Sequence, residues 1–307
     1  MEKEKRESEP RGHHFVPACW LAGFTEAGEK DGELWVTSLS RKNQWRTNPR
    51  KAGKMRDFYR VEDPSVEPAA VEKALSDIEN QVAPTLHAIA EERREPNGDE
   101  LGVLLWFMSI QWARVPAFRP RLLSIVESET QRRFADAAKS EKSWKKFLKK
   151  SGIASDQPGA NYRKIEPLRA GVISLTPPQE WYLMQMFEAA RRIFPTLLKR
   201  PWRAVISPSG SFVAADNPVI LEGPKGAMRG FQNAELITYV VSRHLFLYSA
   251  SDRLTVRETR KDIARMNTLS LLHCDQQVFS HIPDFDWMDA EQKMQRDWKL
   301  FVKEKYL

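Results

Sequence analysis

Two adjacent histidines, His13 and His14, open the ordered-looking part of this 307-residue chain, and neutral imidazole is suited to metal ligation or general-base chemistry near physiological pH. On an extended segment neighbouring side chains point to opposite faces, so at most one of the pair faces a given pocket. A second candidate is Asp216, in Asp216-Asn217-Pro218 at the end of the strand-like run Phe212–Ala215. A carboxylate where a chain leaves a sheet is a common place for catalysis or metal binding. Asp-Asn-Pro is equally a strong turn sequence, because Asp and Asn side chains bond nearby amides and Pro fixes φ. The third candidate is the pair Gln111 and Arg114. Gln111 shares a helical stripe with Leu104, Met108 and Val115, so an amide faces apolar surroundings. Unpaired, it would cost about 1–3 kcal/mol. Arg114, one turn on, is placed either to bridge to a carboxylate of the Asp57 or Asp216 turn, or to fork onto a phosphate.

These residues support two functions. One is a hydrolase, a phosphodiesterase or nuclease, with His13, His14, Asp216, Gln111 and Arg114 around one cleft and a divalent metal as a possible cofactor. The other is a non-catalytic effector that binds nucleic acid or protein, with the same residues stapling the fold together. Neither the identity of a metal nor the oligomeric state can be read from the sequence. No His-Glu-x-x-His pair is present, and with no Walker loop, dinucleotide glycine fingerprint or Gly-x-Ser-x-Gly elbow, nucleotide triphosphatase, Rossmann and esterase readings have no support.

The formal charge of +7 permits a polyanionic partner. The excess is clustered: Gln131–Lys150 carries eight Lys/Arg against two Asp/Glu, and Phe187–Arg203 five against one. Arg132, Lys145, Lys146 and Lys149, with Phe134, Trp144 and Phe147 interleaved, are candidate nucleic-acid contacts. A solvated helix face with its aromatics in the core would give the same pattern.

The elements that must position these groups follow from periodicity. Fold class is α+β: a predominantly helical body with an N-terminal β hairpin and a small sheet in the C-terminal half. Residues 1–11 read as a charged flexible tail, 12–285 as a single α+β domain with a loop insertion near 151–176, and 286–307 as a C-terminal amphipathic helix. Glu33–Leu39 and Gln44–Thr47 form the hairpin. Helices are expected over Glu67–Glu92 (kinked or split at Pro84), Glu100–Val115 capped by Asp99, Arg121–Phe134, around Trp144–Leu148, from Thr176-Pro177-Pro178 to Lys199 with a kink near Pro195, Asp262–Ser280 and Ala290–Lys305. Trp202–Ile206 and Ser211–Ala214 suggest a second hairpin, with further strands at Val219–Leu221, Leu236–Val241 and Leu245–Ser249. Glu100–Val115 is apolar nearly all round and belongs at the centre. Most of the motif residues are expected to converge on one region touching that helix.

Ten tryptophans imply a substantial interior. The longest apolar run, Leu101–Trp112, is shorter than the roughly 20 residues a membrane span needs. The charged start lacks a signal-like hydrophobic region. Cys19 and Cys274 lie far apart with no metal-ligand spacing and read as buried small hydrophobes. A soluble, cytoplasmic protein is the expectation.

Several segments together resemble a known family. His13-His14-Phe15-Val16-Pro17 with Trp20-Leu21 and Phe24 is similar to the His-His-x-Val-Pro opening of domain-of-unknown-function family 4238. Asp57-Phe58-Tyr59, Ile78-Glu79, Gln111…Arg114-x-Pro116 and the late Asn267 fit its pattern. Phe212–Pro218 resembles its Thr-Ser-Asp-Asn-Pro motif, with alanine at 214 and 215. The resemblance covers roughly residues 12–280 and implies no activity of its own.

Overall fold

The helix Gly98–Arg114 begins where Asn97 and Glu100 close a reciprocal cap: the Glu100 N–H donates to Asn97 Oδ1 at 2.9 Å, and the Asn97 N–H to Glu100 Oε2 at 2.8 Å. Asp99 therefore sits in the first turn instead of capping it. Leu104, Leu105, Phe107, Met108, Ile110 and Ala113 bury this helix on most of its circumference. The computed structural model describes residues 11–154, 157, 160–165, 174–223, 230–250 and 255–306. The expected tail, apart from Arg11, and much of the 151–176 loop lie outside them.

The elements, in chain order, are β1 (Gly12–His14), α1 (Ala18–Leu21), β2 (Leu34–Ser38), β3 (Asn43–Thr47), β4 (Lys54–Arg56), α2 (Ala70–Glu92), α3 (Gly98–Arg114), α4 (Phe118–Ala137), α5 (Glu141–Lys150), α6 (Gln179–Leu198), β5 (Arg203–Ile206), β6 (Ala214–Ala215), β7 (Val219–Glu222), β8 (Leu236–Ser242), β9 (Leu245–Ala250), α7 (Arg260–His273), β10 (Gln277–Ser280), β11 (Trp287–Met288), β12 (Met294–Gln295) and α8 (Trp298–Tyr306). The fold is α+β, and every strand pairing is antiparallel. Among the described residues two four-stranded sheets run β3-β2-β10-β6 and β5-β9-β8-β7, and β1-β4 and β11-β12 form two-stranded pairs. Among the described residues no single helix is long and apolar enough to cross a membrane.

The chain forms two compact units, one of Met1–Val115 with Gln179–Leu307, the other of Pro116–Pro178. The larger holds both sheets, α3 and its neighbours α2 and α6, and a core around Leu39, Val213, Leu271, Val278, Trp287 and Trp298. The smaller holds α4 and α5 around Ala137, Ala138, Trp144, Leu148, Ala160 and Ile165. There the Trp144 Nε1–H donates to the Ala160 carbonyl at 2.6 Å.

Four expectations need correction. Pro84 does not split α2, which runs unbroken to Glu92. Asn80, whose carbonyl loses its ladder partner, and Pro84 itself are both exposed, so water can satisfy that carbonyl. Trp202–Ile206 and Ser211–Ala214 do not pair with each other. β5 joins β9, while the Ser207 hydroxyl accepts the Ser211 N–H at 3.1 Å and bends the chain away, sending β6 to β10 in the other sheet. The helix expected over Asp262–Ser280 stops at His273, and Gln277–Ser280 is the central strand β10. The helix expected from Ala290 starts only at Trp298. The Asp289 carboxylate takes the Glu291 and Lys293 N–H groups at 3.0 and 2.8 Å and shapes a hairpin turn, with Gln292 at φ 60°.

The N-terminal segment is fastened by Gly53. Its carbonyl accepts the Phe15 and Val16 N–H groups at 2.9 and 3.2 Å. Gly53 holds φ at 60°, and a Cβ there would come within 2.7 Å of the Val16 Cβ. Gly53→Ala is therefore expected to destabilise the protein by about 1–3 kcal/mol, combining left-handed strain with a clash against the Val16 Cβ. Denaturant unfolding of the parent and variant measures this. An unchanged midpoint would refute the packing.

Candidate functional site

The sequence candidates fall into two groups. The first gathers at the end of α3, where Arg114 is only 1% exposed. Its Nη1 donates to Glu79 Oε1 at 2.8 Å and its Nη2 to the His14 carbonyl at 2.5 Å. The Tyr59 hydroxyl donates to the Arg114 carbonyl at 2.7 Å, and the guanidinium lies 5.7 Å from the centroid of the Tyr59 ring. Burial works against the charge of Arg114. Tyr59 and Glu79 more than offset it, leaving its pKa raised. The partner is thus Glu79, and not the Asp57 or Asp216 turn: Asp57 pairs with Arg11 and Arg56. One turn before Arg114, Gln111 donates from Nε2 to the Tyr239 hydroxyl at 2.9 Å.

The two histidines divide as strand geometry requires. His13, buried, accepts the Tyr59 N–H on Nδ1 at 2.8 Å and stacks on the Tyr59 ring. His14 lies on the other face, opposite Lys54 in the β1–β4 pairing. Burial, and secondarily Lys54 and Arg114, lower its pKa to about 4, so its imidazole is neutral at pH 7. Its Nε2 is buried without a hydrogen-bond partner among the described residues, as is Glu72 Oε2 on α2. Burial raises the Glu72 pKa, against Arg114 and the His14 amide, which favour the charged carboxylate. The group His14, Glu72, Glu79 and Arg114 is therefore joined through the His14 backbone, whose amide favours the charged Glu72 and whose carbonyl accepts from Arg114, while the His14 ring keeps one nitrogen without a partner among the described residues. Among the described residues no three His, Cys, Asp or Glu side chains are grouped so as to hold a metal ion.

The second group is built on the Asp216 turn. Asp216, 3% exposed, accepts the Asp275 N–H on Oδ1 at 2.7 Å and the Gln276 and Gln277 N–H groups on Oδ2, both at 2.8 Å. Burial raises its pKa to about 6 against the pull of those three donors. The carboxylate draws the chain out of α7 and into β10, which is why that helix ends early. Asn217 Nδ2 donates to the His273 carbonyl at 3.1 Å. Asn267 accepts the Val213 N–H at 3.1 Å and donates to the Ser211 and Asp286 carbonyls at 2.9 and 3.0 Å. The hydrogen bonds of Asp216 and Asn267 run to these backbone groups, not to His13, His14, Gln111 or Arg114.

In the smaller unit, Arg132 is paired with Glu129 at 2.8 Å and Lys145 with Glu141 at 2.8 Å. Lys146 and Lys149 are exposed and form no ion pair among the described residues, and Lys142 and Lys150 are like them. Phe134, Trp144 and Phe147 pack inward. Cys19 and Cys274 are buried thiols; the Cys274 Sγ donates to the Leu271 carbonyl at 3.3 Å, and burial raises the Cys19 thiol to about 12.

The model of the family described as "Protein of unknown function (DUF4238)" matches residues 12–284. The chain belongs to that family. No curated protein and no solved structure matches it. In this DUF4238 chain the partners that sequence reasoning missed are Glu72, Tyr239 and the role of Glu79. Glu79 carried a signal: it interrupts the stripe Leu75, Val82, Leu86 on the buried face of α2. A carboxylate at such a position needs a buried cation.

Two predictions follow from this geometry. Glu79→Ala leaves the Arg114 guanidinium without its counter-ion and is expected to cost about 3 kcal/mol, whereas a double variant with Arg114→Met recovers part of the loss. Urea denaturation of the single and double variants decides it, and equal stability of Glu79→Ala and the parent would refute it. The second concerns pH. The folded-state pKa of His14, about 4, lies below the ordinary 6.5, so the unfolded chain takes up the proton first. Its contribution is complete above about pH 6.5 and is lost as pH falls through 4, by up to about 3 kcal/mol. His281, also lowered to about 4 by burial, acts in the same window. His14→Gln should flatten the stability profile between pH 6.5 and 4 relative to the parent, and parallel profiles would count against it.

Proposed function

We propose that this chain is a non-catalytic nucleic-acid-binding module that grips the phosphate backbone through α5. The observation that carries this reading is the lysine stripe. Lys142, Lys146, Lys149 and Lys150 recur at helical spacings of four, three and one, which places them on one side of α5, opposite the buried Trp144 and Leu148. All four are exposed and lack a carboxylate partner among the described residues, so their field is directed to solvent. Because the neighbouring aromatics are committed to the core, binding would rest on phosphate contacts and be tolerant of sequence.

The hydrolase reading, a phosphodiesterase using His13, His14, Asp216, Gln111 and Arg114, draws less support. Asp216 has both oxygens bonded to backbone amides and Arg114 is ion-paired in the interior. What favours it is the neutral His14 imidazole, whose Nε2 has no hydrogen-bond partner among the described residues.

Fluorescence anisotropy with a labelled single strand and the matching duplex tests the proposal. Affinity should fall with salt along a log–log slope of about −3 to −4 if all four lysines neutralise phosphates. Lys146→Glu with Lys149→Glu should weaken binding at least tenfold and reduce that slope by about 2. Unchanged affinity in the double variant would remove α5 from the interface. Metal-dependent cleavage by the parent, lost in His14→Ala, would favour the hydrolase instead.

A further inference from the structure

Apart from both motif groups, a cavity of about 210 Å³ opens in the larger unit, lined by Gly23, the segment Thr25–Gly28, the C-terminal end of α2 and the β8–β9 turn. Two arginines, Arg93 and Arg243, line it. Neither forms an ion pair with a carboxylate among the described residues. Arg93 Nη1 donates to the Pro208 carbonyl at 3.5 Å and Arg243 Nη2 to the Glu26 carbonyl at 3.0 Å, so each guanidinium keeps donors in reserve. Burial lowers the Arg243 pKa; Glu26 favours its charge, and Arg93, to a smaller extent, opposes it.

The surroundings are built for close approach. His244, 5% exposed, lines the same cavity, and its Nδ1 lies 2.8 Å from the Ser207 carbonyl, which fixes the proton there and leaves Nε2 as an acceptor in the neutral ring. Gly210 holds φ at 67°, and the place of its Cβ is taken by His244 Cε1 at 2.7 Å. Arg93 closes α2 in the left-handed conformation, φ 51°, where glycine is the usual residue.

We propose that this cavity binds a small molecule through a phosphate or carboxylate group held between Arg93 and Arg243. Planar guanidinium groups form paired, charge-assisted hydrogen bonds with such oxyanions, and an anion between the two would relieve their repulsion. Glu26 and Glu91 also line the cavity, Glu91 lying 3.5 Å from His87. Those carboxylates, with the carbonyl end of α2, repel a long polyanion but leave room for one compact anionic group. The volume is likewise small for a larger ligand. The site is thus distinct from the α5 stripe.

Calorimetric titration of the full chain with inorganic phosphate and with succinate, at constant ionic strength set by chloride, tests the proposal. Saturable one-site binding of either anion is expected, phosphate alone pointing to a phosphoryl group and succinate alone to a carboxylate. Arg93→Gly relieves the backbone strain while removing the cation, so it should fold at least as well as the parent and bind at least tenfold more weakly. Arg243→Gln should weaken binding similarly. Absence of saturable binding of both anions, or unchanged affinity in both folded variants, would overturn it. The variant with Lys146→Glu and Lys149→Glu should bind the anion as the parent does; loss of binding there would assign the anion to the stripe and overturn the cavity assignment.

Discussion

Arg114 carries a charge that no water reaches, and the larger unit is arranged to keep it. Transferring an unpaired guanidinium into an interior costs many kcal/mol, so the fold must supply a counter-ion and acceptors in the right places. It does so from three separated parts of the chain: Glu79 from α2, the His14 carbonyl from β1, and the Tyr59 side chain after β4. The one guanidinium therefore fixes the N-terminal strand, the following turn and α2 against the end of α3. Hydrophobic burial brings these segments together without direction. The ion pair and its hydrogen bonds specify how they meet.

The same device recurs with other chemistry. Asp216 satisfies three consecutive amides where α7 gives way to β10, and Asn267 satisfies one amide and two carbonyls around β6 and the 286 turn. Backbone groups at such irregular joins have no ladder or helical partner, and leaving them buried and unpaired is costly. A short polar side chain solves the problem locally. The two histidines show the complementary case. The alternation of β1 turns His13 inward to Tyr59 and leaves His14 with an uncommitted ring nitrogen, so adjacent residues of one type acquire unlike roles.

What could be read from the sequence was what local pattern determines. The all-round apolarity of Glu100–Val115 placed α3 at the centre, and the strands at Val219, Leu236 and Leu245 emerge within a residue or two of where alternation puts them. The α7–β10 boundary was illegible because Leu271, Cys274 and Val278 keep helical spacing across Asp275-Gln276-Gln277, and a distant carboxylate ends the helix. The pairing of β6 with β10 depends on contacts about 60 residues apart in sequence, which no short window contains. The candidate site was legible as a set of residues, not as an arrangement. Arg114 announced a buried cation, but its partner lay on a helix stripe and not in either aspartate turn.

Charge shows the same limit. By count, Gln131–Lys150 and Phe187–Arg203 are both strongly basic. In the fold, Glu188 pairs with Arg191 and Arg192 at 3.0 and 2.6 Å, and Arg200 is turned to the Ser249 hydroxyl and the Phe231 and Ala234 carbonyls, so much of the second cluster is compensated or enclosed. Glu129 likewise engages Arg132 and Arg133. A paired exposed arginine contributes little field beyond a Debye length, whereas four unpaired lysines on one helix face add. Two basic clusters thus leave unequal fields: the α5 lysines keep theirs, while much of the Phe187–Arg203 cluster is neutralised within the fold.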